Sequence, residues 1–138
     1  MTPVKAHAFR LTAGADLRES IEARVRSSGI RAGCVLAGVG SLSRAVLRMP
    51  GATDFIDLER DFEIVSIEGT LSPNGCHVHV AISDRSGAVL GGHLVSGCVV
   101  RTTAEIVLAE IESLDFAREH DNATGFAELV VRSGSRGT

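Results

Sequence analysis

Three of the five histidines fall within residues 75 to 95, which read GCHVHVAISDRSGAVLGGHLV. His77 and His79 alternate with the period of a β-strand, and His93 follows a short turn. Neutral imidazole is the commonest protein ligand for metal ions. Three imidazoles at about 2.0 to 2.1 Å suit Zn²⁺ and leave one coordination position open. This pattern predicts a divalent-metal site, with zinc as the expected ion and another divalent metal as the alternative.

The segment SDRSGA, residues 83 to 88, predicts the turn that would bring these histidines together. A type I turn from Asp84 to Gly87, with Gly87 left-handed, gives a three-residue hairpin loop. In that register His79 faces His93, and His77 becomes a diagonal neighbour of His93. The large aliphatic residues of both strands then share the opposite face. The alternative is that the histidines are ordinary polar residues on a half-exposed sheet.

Other residues are candidates for supporting roles at this site. Glu68 and Glu105 lie in apolar stretches of sequence, where an unpaired carboxylate is costly, so each should have a partner. Glu105 is a candidate general base or histidine-orienting residue, with a structural hydrogen bond as the alternative. Glycines leave room for a ligand or another backbone, and arginines can hold an anion. The candidate ligand contacts are Gly91, Gly92, Arg44 and Arg101.

The elements that must position these residues form one helix and several strands. The stretch ADLRESIEARVRSSG, residues 15 to 29, predicts an amphipathic helix with Asp16 as N-cap, Glu19 completing a capping box and Gly29 as the stop. Strands are predicted at 33–42, 60–71, 103–108 and 125–131, with the first buried on both faces and a bulge near residue 64 or 65. The expected fold is α+β: a mainly antiparallel sheet flanked by one helix, in a single domain over 1–138 with a frayed tail at 132–138.

Composition limits the classes of function. The formal net charge is −3, the wrong sign for a domain that binds phosphate backbones by charge alone. Aromatic residues make up only 4%, so stacking platforms for single-stranded nucleic acid are scarce. No apolar run is long enough to span a membrane and no signal peptide is recognised, so a cytoplasmic protein is expected. The three cysteines lack metal-site spacing and are expected to be buried thiols.

Four stretches together carry a resemblance to a known family. GVGSLSRAVLR, FEIVSIEGTLS, HVHVAISDRSGAVLGGHLVSGCVVRTTAEIVL and TGFAELVV resemble, in this order, the "plants and prokaryotes conserved" (PPC) domain, whose bacterial members are often labelled PD1-like DNA-binding proteins. The resemblance implies an antiparallel sheet flanked by a helix, a homotrimer, and a metal ion held by His77, His79 and His93. The family's DNA-binding label derives largely from plant members with a basic AT-hook, and no RGRP occurs here.

Three functions follow, in order of preference. The first is a metal site that binds or acts on an unidentified small molecule, with catalysis left open. The second is a DNA-associated regulatory module, which predicts an arginine face on the helix through Arg18, Arg24 and Arg26. The third is a purely structural metal within a trimer.

Overall fold

A seven-stranded antiparallel sheet forms the body of the protein, and one helix and a separate two-stranded ribbon accompany it. The computed structural model describes residues 3–134. The elements in chain order are β1 (Val4–Thr12), α1 (Leu17–Ser27), β2 (Gly33–Arg48), β3 (Phe55–Leu58), β4 (Phe62–Leu71), β5 (His77–Ser83), β6 (Val89–Leu94), β7 (Val99–Ile111), β8 (Leu114–His120) and β9 (Ala127–Ser133). The α+β prediction is confirmed, and the chain forms a single compact domain.

The sheet closes on itself through the long strand β2. The strand order is β1-β7-β2-β4-β5-β6, and β2 also pairs with β6, so β2, β4, β5 and β6 form a closed ring. The first part of β2 pairs with β4 and β7, whereas its end pairs with β3 and β6. Register shifts along β2, including one between Val35 and Ala37, bend it enough to reach both sets of partners. The predicted bulge in β4 is also confirmed, between Ile64 and Ser66.

The helix begins and ends where local sequence signals predicted. The Asp16 side chain accepts a hydrogen bond from the Glu19 amide, as an N-cap does, and also one from the Gly97 amide at 2.6 Å. The reciprocal bond from the Glu19 side chain is absent among the described residues, so the capping box is only half formed. At the other end the Gly29 and Ile30 amides bond to the Arg26 and Val25 carbonyls in a Schellman motif.

The apolar stripe of α1 is the part of the helix that enters the core. Leu17, Ile21 and Val25 are 0%, 1% and 2% exposed and belong to the main hydrophobic cluster. Burial of each such side chain contributes about 1.5–3 kcal/mol. Two of the expected buried thiols, Cys76 and Cys98, lie in the same cluster, whereas Cys34 is only partly buried and all three are free. Burial raises the pKa of Cys98 to about 11, so its thiol stays protonated at neutral pH.

The structure corrects the prediction that residues 33–42 are buried on both faces. One face of β2 packs into the core, where Val35 and Leu42 lie. The other face leaves Leu36 and Val39 62% and 54% exposed, beside Val65 of β4 at 55%. The strand is therefore apolar on both faces but covered on only one within a single chain.

Several strands were not recognised in the sequence. β1, β3 and β8 carry mixed polar and apolar residues, because each is partly or wholly exposed along its length. The strand predicted to end near Leu108 continues to Ile111. Arg132 and Ser133, assigned to the tail, pair with Asp115 and Leu114 in the β8–β9 ribbon, and the rest of the predicted tail from residue 135 lies outside the described residues. Within residues 3–134, no helix has the length and apolar character needed to cross a membrane.

We expect Asp16→Ala to lower the free energy of unfolding by about 2–3 kcal/mol, because the variant loses the helix N-cap and the partner of the Gly97 amide together. Urea unfolding followed by circular dichroism measures the change. Asp54→Ala is the matched control, since Asp54 is exposed and its side chain makes no hydrogen bond among the described residues. Equal stability of the two variants would contradict this account of the helix start.

Candidate metal centre

The β5–β6 hairpin has the predicted turn and register. The Gly87 amide donates to the Asp84 carbonyl at 3.0 Å, and Gly87 is left-handed with φ of 83°. The Asp84 carboxylate accepts hydrogen bonds from the Ser86 amide and hydroxyl and from the Ala88 amide. These bonds, led by the one from the Ser86 hydroxyl, lower the pKa of Asp84. Asp84 therefore serves the turn, as predicted, and leaves the histidines to the strands.

The hairpin brings the three histidines onto one face. His79 faces His93 across the strands, and His77 lies two residues further along β5. The ring centroids lie 4.9 Å apart for His77 and His79, 5.1 Å for His77 and His93, and 5.6 Å for His79 and His93. One nitrogen from each ring lies within 4.8 Å of the other two. Val78, Val80 and Ile82 point into the core on the opposite face, as the predicted register requires.

The local environment favours neutral imidazoles. Partial burial, followed by the nearby Arg48 guanidinium, lowers the pKa of His93 to about 4. Loss of hydration, followed by the charge on His79, also lowers the pKa of His77. A metal ion needs the neutral form of imidazole, because the lone pair must be free. These two histidines are therefore available as ligands at neutral pH.

The donor set fits a divalent cation. Three nitrogen donors at about 2.0–2.1 Å from one tetrahedral ion lie about 3.3–3.4 Å apart. The Nε2 atoms of His77 and His79 are already 3.1 Å apart. The Nδ1 atom of His93 is buried and has no hydrogen-bond partner among the described residues. Such an atom is costly to leave unpaired, so the site is chemically incomplete without a further group.

Of the two candidate glutamates, only Glu68 lies at the histidines. Glu68 of β4 faces His79 of β5 directly and borders the same surface groove as His77 and His79. Glu105 is on β7 and faces Arg10 and Val39, with β2 and β4 between it and β5. Within the chain, three strand spacings of about 4.8 Å separate the two strands, so the structure does not bring Glu105 to the histidines. Both glutamates are exposed, so neither needs a buried partner.

The predicted arginine contacts also lie elsewhere. Arg44 makes a bidentate ion pair with Asp57, at 2.9 and 2.7 Å, and Arg101 pairs with Asp61 at 3.1 Å. Neither arginine borders the cavity beside the histidines. Their carboxylate partners already satisfy them, so the sequence-based assignment of Arg44 and Arg101 as ligand contacts is not supported.

The glycine pair borders the cavity but is explained by the packing of the strands. A Cβ atom on Gly91 would lie 2.6 Å from the Val80 carbonyl oxygen, and one on Gly92 would lie 2.9 Å from the Arg48 carbonyl oxygen. The space expected beside the histidines is thus filled by the chain's own backbone. The glycines allow β5, β6 and the end of β2 to approach closely, which sets the positions of the imidazoles.

Two arginines that the sequence analysis did not single out lie at the histidine face. Arg48, the last residue of β2, faces His93 of β6. Arg118 of β8 donates a hydrogen bond at 2.7 Å to the hydroxyl of Thr70, and Thr70 faces His77. Both arginines border a cavity of about 890 Å³ with all three histidines. No local sequence signal marks them, because their positions depend on pairing between distant strands.

A second concavity meets the histidines from the other side. A groove of about 760 Å³ is bordered by β2 and β4 residues together with His77 and His79. Leu36 and Val39, which are exposed, form part of its wall. His77 and His79 thus border both concavities, whereas His93 borders only the cavity with the arginines.

Fold and site together define an α+β protein with a three-histidine, metal-competent hairpin. A family model, the Plants and Prokaryotes Conserved (PCC) domain, matches residues 1–112. The chain belongs to this family, which confirms the resemblance stated from the sequence. All three histidines lie within the match, whereas the β8–β9 ribbon with Arg118 lies beyond it.

Relatives in bacteria and plants are similar over most of this chain. The Bifunctional protein GlmU of Synechococcus sp. (strain JA-3-3Ab) is 41% identical over 135 residues, which is 98% of this chain and 22% of the relative. AT-hook motif nuclear-localized protein 21 of Arabidopsis thaliana is 27% identical over 123 residues, covering 83% of this chain and 42% of the relative. The chain thus spans from about a fifth to less than half of these curated relatives.

Two solved structures resemble the whole fold. A hypothetical protein from Salmonella cholerae-suis has a TM-score of 0.93 and 36% identity, with 96% of each chain covered. A protein from Archaeoglobus fulgidus described as metal-containing has a TM-score of 0.79 and 27% identity, with 94% of this chain and 96% of that chain covered.

We expect Gly91→Ala to destabilise the protein by about 1–3 kcal/mol, because the added Cβ would press on the Val80 carbonyl and part the two histidine strands. Val89→Ala on the same strand is the control; Val89 is 60% exposed, so its truncation should cost less than about 1 kcal/mol. Urea unfolding measures both. If Gly91→Ala has the same free energy of unfolding as the parent, the two strands tolerate the added Cβ and this account of Gly91 is contradicted.

Proposed function

We propose that this PCC-family protein holds a divalent metal ion, zinc, on His77, His79 and His93 and uses the site to bind a small molecule. The observation that carries the proposal is the convergence of three imidazoles in which the buried Nδ1 of His93 lacks a partner. The similar archaeal protein described as metal-containing supports the assignment.

The three histidines would bind the ion, and the sheet would orient them. When bound, zinc supplies Lewis acidity and lowers the pKa of a coordinated water. Three protein donors leave one position open for water or a ligand, which favours a binding site over a purely structural metal. Glu68, directly opposite His79, is the carboxylate placed to orient an imidazole.

Metal content tests this proposal directly. Untagged protein should carry about one zinc per chain by elemental mass spectrometry after zinc is supplied and excess removed, because three imidazoles can bind one ion. His79→Ala should retain less than about a tenth of it, since one of three donors is gone. His120→Ala is the matched control, because His120 is exposed and lies outside the cavity. Zinc absent from the parent, or retained by His79→Ala, would refute the assignment.

We also propose that the chain assembles as a homotrimer through the outer face of β2 and β4. Leu36, Val39 and Val65 are exposed apolar residues. Removing apolar surface from water stabilises a protein by about 25 cal/mol per Å², so contact with another subunit is favourable. A strand that is apolar on both faces is typical of one covered on both sides. A second copy supplies that cover, and the histidines at the edge of the same groove would then lie beside the interface.

Light scattering coupled to size-exclusion chromatography tests the assembly. The parent should have the mass of three chains, and Leu36→Glu should have the mass of one, because a charge would be buried in the interface. Val89→Glu is the control: Val89 is similarly exposed but lies outside the groove. A monomeric parent would refute the assembly, and a trimeric Leu36→Glu variant would refute the proposed face.

DNA binding remains the second candidate, on the ground of similarity to relatives named AT-hook motif nuclear-localized proteins. The helix offers only part of the predicted arginine face. Arg18 bonds to the Leu94 and Cys76 carbonyls and pairs with Glu22, whereas Arg24 lies over the Phe9 ring and is exposed, as is Arg26. Salt-dependent binding of the purified protein to duplex DNA would support DNA binding as its function. The cytoplasmic location expected from the sequence stays a prediction.

A further inference from the structure

Arg48 is a cation without an anion at the histidine cavity. Its side chain makes no hydrogen bond or ion pair among residues 3–134, and the residue is partly buried. Its strand position faces His93, so the guanidinium and the imidazole lie on the same side of the sheet. A cation that has lost part of its hydration and has no partner is unfavourable. An anionic ligand would remove that cost.

Arg118 reaches the same cavity from the β8–β9 ribbon. It donates to the Thr70 hydroxyl, which is neutral, and forms no ion pair with a described carboxylate. The ribbon is anchored by an ion pair between Arg31 and Asp115 and by the bond from the Phe116 amide to the Arg31 carbonyl. Arg118 is thus held at the His77 side of the imidazoles, while Arg48 stands at the His93 side.

The charge of the cavity wall is positive. Arg18 also borders it, but Glu22 balances that charge. Glu128 supplies one negative charge and accepts a hydrogen bond from Thr124. Arg48 and Arg118 therefore exceed Glu128 by one positive charge. A guanidinium binds carboxylate or phosphate oxygens through paired donors, so oxyanions are the ligands that this wall suits.

The same cavity has an apolar side. Met49 and Pro50 of the β2–β3 loop and Phe126 of the β8–β9 loop border it, and Phe126 is 55% exposed. An exposed aromatic ring beside a polar site offers apolar surface to a ligand. The cavity thus combines metal donors, two cations and an apolar wall.

We propose that the ligand of this site is a small molecule with an oxyanion, carboxylate or phosphate, held by Arg48 and Arg118, and with an apolar body that contacts Phe126. This inference rests on the proposed function and specifies its substrate class. The β8–β9 ribbon, which lies beyond the family match, is then the element that selects the ligand.

Isothermal titration calorimetry of the zinc-loaded protein, freed of excess metal, tests this with phenyl phosphate, benzoate and benzyl alcohol. We expect one or both anions to bind and the neutral alcohol to bind at least tenfold more weakly. The anion that binds more tightly shows whether the site prefers a phosphate or a carboxylate. Arg48→Gln and Arg118→Gln should each weaken the preferred anion about tenfold or more, as loss of a charged hydrogen bond does. Arg44→Gln, whose side chain pairs with Asp57, should bind it as the parent does.

Phe126→Ala tests the apolar contact of the ligand separately from its contact with the arginines. It should weaken phenyl phosphate or benzoate while leaving inorganic phosphate or acetate unchanged. Circular dichroism and zinc content confirm that each arginine variant is folded and loaded. Equal anion affinity in the parent, Arg48→Gln and Arg118→Gln would overturn the inference, as would a preference for benzyl alcohol or binding of no probe.

These experiments distinguish failure of the zinc proposal from failure of the anion proposal. A protein that binds no zinc refutes the proposed function, and the same titrations are then made on the metal-free protein. Arginine-dependent anion binding there upholds the arginine assignment without the metal, and its absence overturns it. A protein that binds zinc but fails the anion test keeps its metal site and loses this inference alone.

Discussion

The long strand β2 pairs along both of its edges and at both of its ends. This pairing determines where the residues of the candidate site lie. Its first part pairs with β4 and β7, and its end pairs with β6, which closes a ring of strands. This closure places Arg48 opposite His93, although 45 positions along the chain separate them. It also encloses the core on one side and leaves the imidazoles on the other. Loss of the closure would separate the arginine from the histidines without changing either residue.

The site holds the one buried side-chain polar atom that lacks a hydrogen-bond partner among the described residues. The arginines that the sequence pointed to have partners, in the pairs Arg44–Asp57 and Arg101–Asp61. At the hairpin, the His93 Nδ1 atom is buried without a partner, and the nearby guanidinium of Arg48 has none either. Natural sequences violate local rules mainly where function requires it. His93 can bind a metal ion and Arg48 can bind an anion. Because both lack a partner and face each other, they indicate a ligand more strongly together than either does alone.

Local signals allowed the sequence to predict the helix and the histidine hairpin. Asp16 and Gly29 act within a few residues of themselves, and the turn from Asp84 to Gly87 sets a register that runs outward to the histidines. Contacts between distant strands could not be predicted in this way. Glu105 was a candidate because its neighbours in the sequence are apolar, yet β7 pairs with β1 and β2 and leaves this carboxylate exposed. Arg48 and Arg118 were missed for the same reason, since only strand order brings them to the imidazoles.

The two concavities at the histidines have different chemistry, and this difference bears on how a ligand would approach. The groove over β2 and β4 has Leu36 and Val39 in its wall and no arginine, whereas the cavity beside β6 carries Arg48 and Arg118. A second copy over the groove, as proposed, would close that side of His77 and His79. The approach that remains would pass the two arginines. In the proposed trimer, the apolar face would contact a neighbouring subunit on one side of the imidazoles, and the arginines would meet charged ligands on the other.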